Sequence, residues 1–363
     1  MAGDRPARVL HINDAASTTT VLLRAAHRRS LPWSYLPLAA TEPHWRGPWR
    51  YVRRASRGAG WEARLASLAA RHDLLHVHVA SVVKHTGWVP RPYVLHLHGT
   101  DVRSHQYDSA RAPLIRRAIS RAGAVLYSTP DLAHHLEWRP DATLLPVPID
   151  TSQLPGWQPA PRPRIVFSSR WHEVKGLAVQ LAVARAIRAT AGDRVELVGV
   201  DWGPGAAAAR AEGVRLVPRL SHAEFQRLLA GAHVVVGQPT GMLAASELEA
   251  LGIGVPVVAP LLGRWYAASG AALPPVLGGT ALAEAHGVPP QDPRVPGARA
   301  QRVADADALA GALADLALVG LEDPVATSAA LDGGAWLARE HDAVVGVDRL
   351  LPLYHRLMRE GRA

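Results

Sequence analysis

Two basic side chains five residues apart, Arg170 and Lys175, carry the clearest chemical signal in this sequence. They follow an apolar run typical of a β-strand at residues 164–167 and precede a helix-like run at residues 177–187. A helix N-terminus presents backbone N–H groups and a partial positive charge, so this turn is suited to hold a diphosphate. The alternative is a surface Arg and Lys near a helix start that bind no ligand.

Lysine is rare in this chain, and cysteine is absent. Only two of the 40 Lys and Arg residues are lysines, Lys84 and Lys175, in a chain of 363 residues. The absence of cysteine excludes disulfides, thiolate metal sites and a cysteine nucleophile, and it predicts a cytoplasmic location. Residues 1–8 lack the apolar segment of a secretory signal, and no apolar run reaches the ~20 residues of a membrane-spanning helix.

The net charge of +9 favours an anionic partner. Nucleic acid, an anionic membrane surface and a phosphorylated small molecule all satisfy this condition. The sequence has no zinc-finger, basic-zipper or RNA-recognition signature, so we predict no nucleic-acid partner. A module that binds an anionic membrane or nucleic acid without catalysis is kept as an alternative function.

Short apolar runs alternate with amphipathic segments, which predicts βα units and parallel sheets. The strands predicted in the first half are residues 8–13, 34–38, 74–79, 93–98, 124–128 and 143–147. Those predicted in the second half are residues 164–168, 194–198, 214–217, 233–236 and 256–259. The predicted helices include residues 18–29, 62–71, 110–121, 177–187, 244–251 and 305–318. Between residues 261 and 301 the pattern dissolves into Gly, Pro and Ala, which predicts a long loop or insertion.

A Pro-rich segment at residues 154–163 has no hydrophobic periodicity and predicts a linker. We therefore predict an α/β fold with two Rossmann-like domains that face a cleft, at residues 1–153 and 164–340. Residues 341–363 are predicted to form a helix that packs back on the first domain. Ligands of such sheets bind beyond the carboxyl ends of the strands, where Arg170 lies.

Three further segments lie at predicted element ends. Residues 197–204 end a strand with a Gly-rich turn, and residues 246–259 form a helix, a Gly turn and a buried strand. Residues 95–101 end a strand with His98-Gly99-Thr100-Asp101. In addition, Ser221 and Glu224 form a capping-box pattern ahead of a helix. For the helix at residues 244–251 we predict no acidic residue in the first turn.

The order and spacing of residues 170–176, 198–204 and 248–257 resemble the motifs of retaining glycosyltransferases of the GT-B fold, family 4, also called glycosyl transferases group 1. That family tends to show Gly-Arg-x-x-x-x-Lys-Gly after a strand and then a Val-Gly-x-Gly-Pro turn. A Glu-x7-Glu segment follows, ending in Leu-Glu-Ala-x-x-x-Gly-x-Pro-Val. Residues 98–101 and the helices at residues 339–357 extend the resemblance over most of the chain.

The resemblance implies metal-independent transfer of a sugar from a nucleotide-diphosphate sugar to an acceptor hydroxyl, with no further cofactor. The C-terminal domain would bind this sugar donor, and the N-terminal domain a small-molecule or lipid-linked acceptor. The implied catalytic residues are His98 at the reacting centre and Arg170 and Lys175 at the diphosphate. The implied contacts with the sugar donor involve Glu249 at the ribose, Arg219 near the base, and Gly199, Gly241, Met242 and Leu243. Asp101 would lie on the acceptor side.

Two positions depart from the family pattern. Gly241 stands where the first Glu of Glu-x7-Glu contacts hydroxyls of the transferred sugar, which motivates a catalytically silent, sugar-nucleotide-binding subunit as an alternative. Residues 14–20 replace the usual Gly-Gly turn after the first strand. The hydroxyls of Ser17 and Thr18 are candidates for binding phosphate or acceptor, and a plain Ser N-cap is the alternative role.

His76 and His78 share one strand face, as do His96 and His98. Four adjacent imidazoles are a candidate metal site, but we predict no metal and a mixture of core and site histidines.

Arg alternates with Trp and Tyr in residues 45–54, and the basic segment continues to Trp61. This pattern suits peripheral contact with an anionic membrane at the inner face, or a phosphorylated acceptor. The alternative is a solvated basic loop or helix with its aromatic side chains packed inward.

Overall fold

The structure, a computed structural model, describes residues 5–38, 49–288 and 306–360. The chain divides into two compact units. The N-terminal unit comprises Met1–Pro148 and Ala343–Ala363, and the C-terminal unit comprises Ile149–Asp342. No helix among the described residues is long and apolar enough to cross a membrane.

The N-terminal unit is built on a six-stranded parallel sheet with strand order β2-β1-β3-β4-β5-β6. Its strands are β1 (Val9–Ile12), β2 (Trp33–Leu36), β3 (Leu74–His78), β4 (Tyr93–Leu97), β5 (Ala124–Tyr127) and β6 (Thr143–Leu144). Almost every residue of β1, β3, β4 and β5 is buried, as expected for a parallel sheet covered on both faces.

In the described part of the unit, five α-helices connect these strands: α1 (Thr18–Arg28), α2 (Trp49–Ala69), α3 (Val83–Thr86), α4 (Thr100–Arg103) and α5 (Ala112–Arg121). Buried apolar side chains form one core on each face of the sheet. Helix α2 begins 13 residues before the predicted start at residue 62, so the described part of the Arg/Trp segment is helical.

The C-terminal unit repeats this architecture with strand order β12-β11-β10-β7-β8-β9, again parallel. Its strands are β7 (Arg164–Phe167), β8 (Glu196–Val200), β9 (Arg215–Val217), β10 (Val234–Val236), β11 (Val257–Pro260) and β12 (Leu277–Gly278). The order of the strands reverses between β7 and β10, and ligands of doubly wound sheets bind at such a point.

The helices of the C-terminal unit are α6 (Leu177–Ala191), α7 (Ala206–Ala211), α8 (His222–Ala230), α9 (Ala245–Ile253), α10 (Gly263–Ser269), α11 (Gly279–Ala285), α12 (Ala306–Glu322), α13 (Pro324–Leu331) and α14 (Gly333–Glu340). The capping box predicted at the start of α8 is confirmed, because Ser221 Oγ accepts from Glu224 N and the Glu224 carboxylate accepts from Ser221 N. The predicted loop at residues 261–301 is wrong in its described part, which contains α10, β12 and α11. Residues 289–301 lie outside the described residues.

The final helix, α15 (Ala343–Glu360), belongs to the N-terminal unit. It packs against α1 and contributes Val347, Leu350, Tyr354 and Leu357 to the core. The preceding Pro-rich segment at residues 154–163 is held by the C-terminal unit, because Gln158 N donates to Ala230 O at 3.0 Å and Trp157 Nε1 donates to Ala232 O at 2.8 Å. These hydrogen bonds therefore restrain a segment whose composition is typical of a flexible linker.

Candidate functional site

The carboxyl edge of the C-terminal sheet gathers side chains from four successive connections. Arg170 follows β7, Trp202 follows β8, Arg219 follows β9 and Gln238 follows β10. Parallel strands end at the same edge of a sheet, so residues that are far apart in the sequence come together there. Arg170 and Arg219 are separated by 49 positions, and Lys175 and Gln238 by 63 positions. This edge includes the turn that we predicted from the sequence to bind a diphosphate.

Lys175 lies in the last turn before α6 and is tied to the β10–α9 connection. Its Nζ donates to Gln238 Oε1 at 2.6 Å. Gln238 is fully buried, and its Nε2 donates to Met242 O at 3.0 Å. The ammonium group is thereby positioned relative to Gly241 and Met242, two of the residues expected to bind the sugar donor.

Arg170 lies beside an exposed indole. Its guanidinium carbon is 5.7 Å from the ring centroid of Trp202, and that of Arg219 is 4.8 Å from the same ring. Both distances are within the range of cation–π attraction. The Nε–H of Arg170 is buried and has no hydrogen-bond partner among the described residues. A buried orphan donor costs free energy, which a bound anion would recover.

Sequence reasoning missed Glu247, a fully buried carboxylate that joins the loops of this site. Its Oε1 accepts from Ser168 Oγ at 2.8 Å, Ser169 Oγ at 3.3 Å and Gln238 N at 3.0 Å. Its Oε2 accepts from Ala244 N at 2.9 Å, three residues earlier. The expectation that no acidic residue opens this helix is therefore wrong. The spacing of a Glu at the third helical position was the available signal.

Glu249, on the next turn of α9, is 5% exposed and held by α8. Its Oε1 lies 2.5 Å from His222 Nε2 and accepts from Gln226 Nε2 at 3.0 Å. Both contacts engage the same oxygen and tie the carboxylate to α8.

Gly241 occupies a backbone conformation that a Glu would strain. Its φ is +86°, and a Cβ atom there would lie 2.6 Å from Leu262 Cδ1 and 3.0 Å from Trp265 Cζ3. Its carbonyl accepts from Leu262 N at 2.8 Å, which fixes the loop against the start of α10. A Glu at this position, which the resemblance predicts, would therefore be strained in this loop.

Gly199 has a packing role that the sequence did not reveal. A Cβ at Gly199 would lie 2.7 Å from Trp171 Cζ2, and Trp171 is fully buried with its Nε1 donating to Val200 O at 3.1 Å. The Gly-rich turn after β8 thus makes room for a large indole under the cationic turn.

In the N-terminal unit, His98 follows β4 and is partly exposed. Its Nε2 lies 3.0 Å from Nδ1 of the buried His78 on β3. Burial lowers the pKa of His98 to about 4, so the ring is neutral near pH 7. A neutral imidazole can donate or accept a hydrogen bond there but carries no charge.

The predicted histidine pairs do lie side by side, and His11 on β1 joins them. Two trios, His11–His76–His78 and His78–His96–His98, bring ring nitrogens within 4.8 Å of one another. The rings of His76 and His78 in the first trio are stacked, 4.4 Å apart with an interplanar angle of 4°. A metal ion lies in the plane of each imidazole that binds it, so these two parallel rings do not converge on one ion. The rings of the second trio are tilted against one another by 26° to 39°.

Asp101 is buried, and its carboxylate is turned into the unit. Its Oδ2 accepts from Ala80 N at 3.0 Å, and burial raises the pKa of the group. It supports the turn after β3, a structural role that the acceptor-side prediction did not include.

The turn after β1 corrects the prediction for Ser17. Ser17 is exposed and precedes α1 with φ +60°, but its side chain makes no capping hydrogen bond. Asp14 caps the helix instead, accepting from Thr19 N at 2.9 Å and from Thr20 Oγ1 at 2.6 Å. Thr18 is fully buried, and its hydroxyl has no hydrogen-bond partner among the described residues.

Of the Arg/Trp segment, residues 45–48 lie outside the described residues. In the described part, the exposure of the aromatic side chains differs between the start of α2 and its later turns. Trp49 and Tyr51 are 70% and 60% exposed. Trp61 packs against the core, and its Nε1 donates to Pro37 O at 2.7 Å. Inward packing of the aromatic side chains therefore holds only for the later part of the segment.

Comparison with known proteins shows the fold. No protein-family profile and no curated protein matches the chain. Sucrose-phosphate synthase from Thermosynechococcus elongatus is similar in structure, with a TM-score of 0.65, 16% identity, and coverage of 97% of this chain and 100% of that one. Anabaena HepE in complex with UDP-glucose has a TM-score of 0.62 at 15% identity, covering 95% and 98%. An α,α-trehalose-phosphate synthase (UDP-forming) from Burkholderia vietnamiensis has a TM-score of 0.61 at 14% identity, covering 99% and 100%. The predicted class, two Rossmann-like domains of the GT-B type, is confirmed.

Proposed function

We propose that this protein is a glycosyltransferase that moves a sugar from a nucleotide-diphosphate sugar to an acceptor hydroxyl. The observation that carries the proposal is the cationic turn before α6, a helix of 15 residues at the carboxyl edge of the C-terminal sheet. Arg170 brings to this turn a buried Nε–H that has no hydrogen-bond partner in the described part of the chain, and Lys175 is positioned by Gln238. A diphosphate would satisfy the orphan donor and interact favourably with the helix dipole.

The similar solved structures support this substrate class. The HepE structure contains UDP-glucose, and the trehalose-phosphate synthase is UDP-forming. We extend this to the present chain as a nucleotide-diphosphate sugar with a hexosyl or related group.

The chemistry that the site must perform is charge stabilisation. When the bond between the sugar and the diphosphate breaks, negative charge grows on the departing phosphate. Arg170, Lys175 and the α6 N-terminus are fixed positive groups for that charge, the usual source of large rate effects in such sites. In the retaining reaction that we propose, the leaving phosphate oxygen takes the acceptor proton. Neither a protein general base nor a metal ion then takes part.

A panel of UDP-, GDP-, ADP- and dTDP-sugars tests the proposal. We expect one class to raise the melting temperature and to release its nucleoside diphosphate when acceptor extract is added. The anomeric configuration of the product, determined by NMR, tests retention, and activity in EDTA tests metal independence. Absence of both binding and release for all four classes would exclude the proposed function.

A catalytically silent subunit that binds sugar nucleotides is the second candidate, and Gly241 is the observation that favours it. The backbone there leaves no space for the carboxylate that contacts the transferred sugar in the family. Stabilisation by a sugar nucleotide without any release of nucleoside diphosphate, with or without acceptor extract, would select this candidate over the transferase.

A further inference from the structure

His98 ends a chain of three histidines from adjacent strands. His11 lies on β1, His78 on β3, and His98 directly after β4. His11 Nδ1 is 3.3 Å from His78 Nε2, and His78 Nδ1 is 3.0 Å from His98 Nε2. His11 and His78 are fully buried. Both nitrogens of His78 are therefore engaged by other imidazoles.

The number of protons on these three histidines restricts their tautomers. Burial lowers the pKa of His11 to about 3, lowers that of His98 to about 4 and depresses that of His78 well below its usual value. All three rings are neutral near pH 7, and a neutral imidazole has one N–H donor and one acceptor nitrogen. His78 must then accept from one neighbour and donate to the other. Both hydrogen bonds run in the same direction along the chain.

His11, at the buried end of the three histidines, decides the direction of the hydrogen bonds. His11 Nε2 is buried and has no hydrogen-bond partner among the described residues. If the bonds ran from His98 towards His11, this nitrogen would carry a buried N–H without an acceptor, which is rare in folded proteins. If they run from His11 towards His98, His11 carries its proton on Nδ1, and only a lone pair is left unpaired. His98 then accepts at Nε2.

We propose that His11 and His78 are positioning residues that hold His98 as its Nδ1–H tautomer. The ring nitrogen of His98 that is not bonded to His78 is thus always a hydrogen-bond donor. It suits an oxygen acceptor at the carboxyl edge of the N-terminal sheet. In combination with the proposed glycosyltransferase function, on which this last step rests, that oxygen is a hydroxyl of a bound substrate.

The tautomer is measurable without any substrate. In full-length protein labelled with 15N in the histidine rings, the His98 signals are assigned by their loss in His98→Gln. We expect protonated Nδ1 and unprotonated Nε2 at neutral pH. His78→Leu removes the N–H that Nε2 accepts, and we expect a mixture of both tautomers. His78→Asn retains a side-chain amide donor, and we expect it to restore the Nδ1–H form.

His96→Leu is the matched control. Its ring centroid is 4.3 Å from that of His98, but no hydrogen bond joins the two rings. We expect this variant to keep the wild-type tautomer of His98. An Nε2–H form in the wild type, or an unchanged tautomer in His78→Leu, would overturn the proposal. Stoichiometric Zn²⁺ binding that shifts the His98 ring signals would also overturn it, because Nε2 would then be a metal ligand.

Activity provides a separate readout. Once a sugar donor is identified, we expect His78→Leu to lower kcat about tenfold at nearly constant KM for the sugar donor, a loss typical of a disturbed hydrogen bond at the reacting centre. His78→Asn should recover most of it. A defined tautomer in a protein that transfers no sugar would retain the positioning role and reject the proposed function. A mixture of His98 tautomers in an active wild-type enzyme would reject the positioning role and retain the proposed function.

Discussion

At the residue scale, the cations of the candidate site are held by neutral and aromatic groups. Lys175 donates to an amide oxygen, and Arg170 and Arg219 lie near the ring of Trp202. Buried Glu247 organises the surrounding loops by accepting hydrogen bonds from hydroxyl and backbone donors. Such an arrangement positions positive charge while the carboxylate serves the scaffold.

Replacing Lys175 or Arg170 with Ala should lower kcat by ~10²–10³, because each cation opposes charge that grows in the transition state. Steady-state kinetics with the identified sugar donor measures this effect. Arg185→Ala is the control, since Arg185 lies on α6, has a 62% exposed side chain and pairs with Glu212. Near-normal rates in both site variants would place the diphosphate elsewhere.

Glu249→Ala should instead raise the KM for the sugar donor with little change in kcat, because contacts with the ribose are equal in the ground and transition states. His222→Ala should have a smaller effect, since Gln226 still donates to the same carboxylate oxygen. Unchanged affinity for the sugar donor in Glu249→Ala would remove this residue from the site.

Gly241→Glu should destabilise the protein and fail to improve transfer. A non-Gly residue at φ +86° costs of the order of 1–3 kcal/mol, and its Cβ collides with Leu262. Thermal denaturation of Gly241→Ala and Gly241→Glu separates the cost of the Cβ from that of the carboxylate. A Glu variant as stable as the wild type and more active would show that the loop accommodates the family residue.

At the element scale, α2 exposes a basic and aromatic first half. Trp49, Tyr51 and Val52 are more than half exposed, and Arg53 and Arg54 are exposed beside them. Aromatic side chains of this kind enter the headgroup region of a membrane while Arg pairs with phosphate. We keep the proposal that this helix docks on an anionic surface, from which a lipid-linked acceptor would be reached.

Flotation with anionic and neutral vesicles tests this proposal. We expect preferential binding to anionic vesicles that fades with salt, and a marked loss of binding when Arg53 and Arg54 are changed to Ser. Changing the exposed Arg116 and Arg117 on α5 to Ser removes the same charge at another surface and should have a smaller effect. Equal binding to both kinds of vesicle, or equal loss in both variants, would favour a small-molecule acceptor.

At the scale of the whole molecule, the histidines buried in the N-terminal unit predict acid sensitivity. The pKa of His11 is lowered from 6.5 to about 3 and that of His98 from 6.5 to about 4. The unfolded chain therefore binds more protons than the folded protein below pH 6.5, so that stability is full above this pH and falls as the pH decreases towards 4.

Chemical denaturation as a function of pH measures this dependence. We expect the free energy of unfolding to fall by about 1.4 kcal/mol per pH unit for each such histidine within this window. His11→Asn should give a shallower slope, whatever its stability at pH 7. A free energy of unfolding that stays constant between pH 6.5 and 4 would contradict the prediction.

Local patterns identified most elements, because apolar runs and helix periodicity are properties of neighbouring residues. The strand predicted at residues 8–13 is Val9–Ile12, and the helix predicted at residues 18–29 is Thr18–Arg28. The failure at residues 261–288 has a physical cause. Short elements such as Gly263–Ser269 and Leu277–Gly278 form against the edge of the sheet, and Gly- and Ala-rich segments carry little periodicity of their own.

The sequence by itself determined the fold class and the cationic turn, since both follow from short-range spacing: strand, turn, Arg170, Lys175 and helix. Only the tertiary structure decided which distant groups meet there. Glu247 joins Ser168, 79 residues away, and the strand order β1-β3-β4 places His11 beside His78 and His78 beside His98. Sheet order and loop contacts depend on the packing of the whole unit, so these hydrogen bonds arise only in the folded chain.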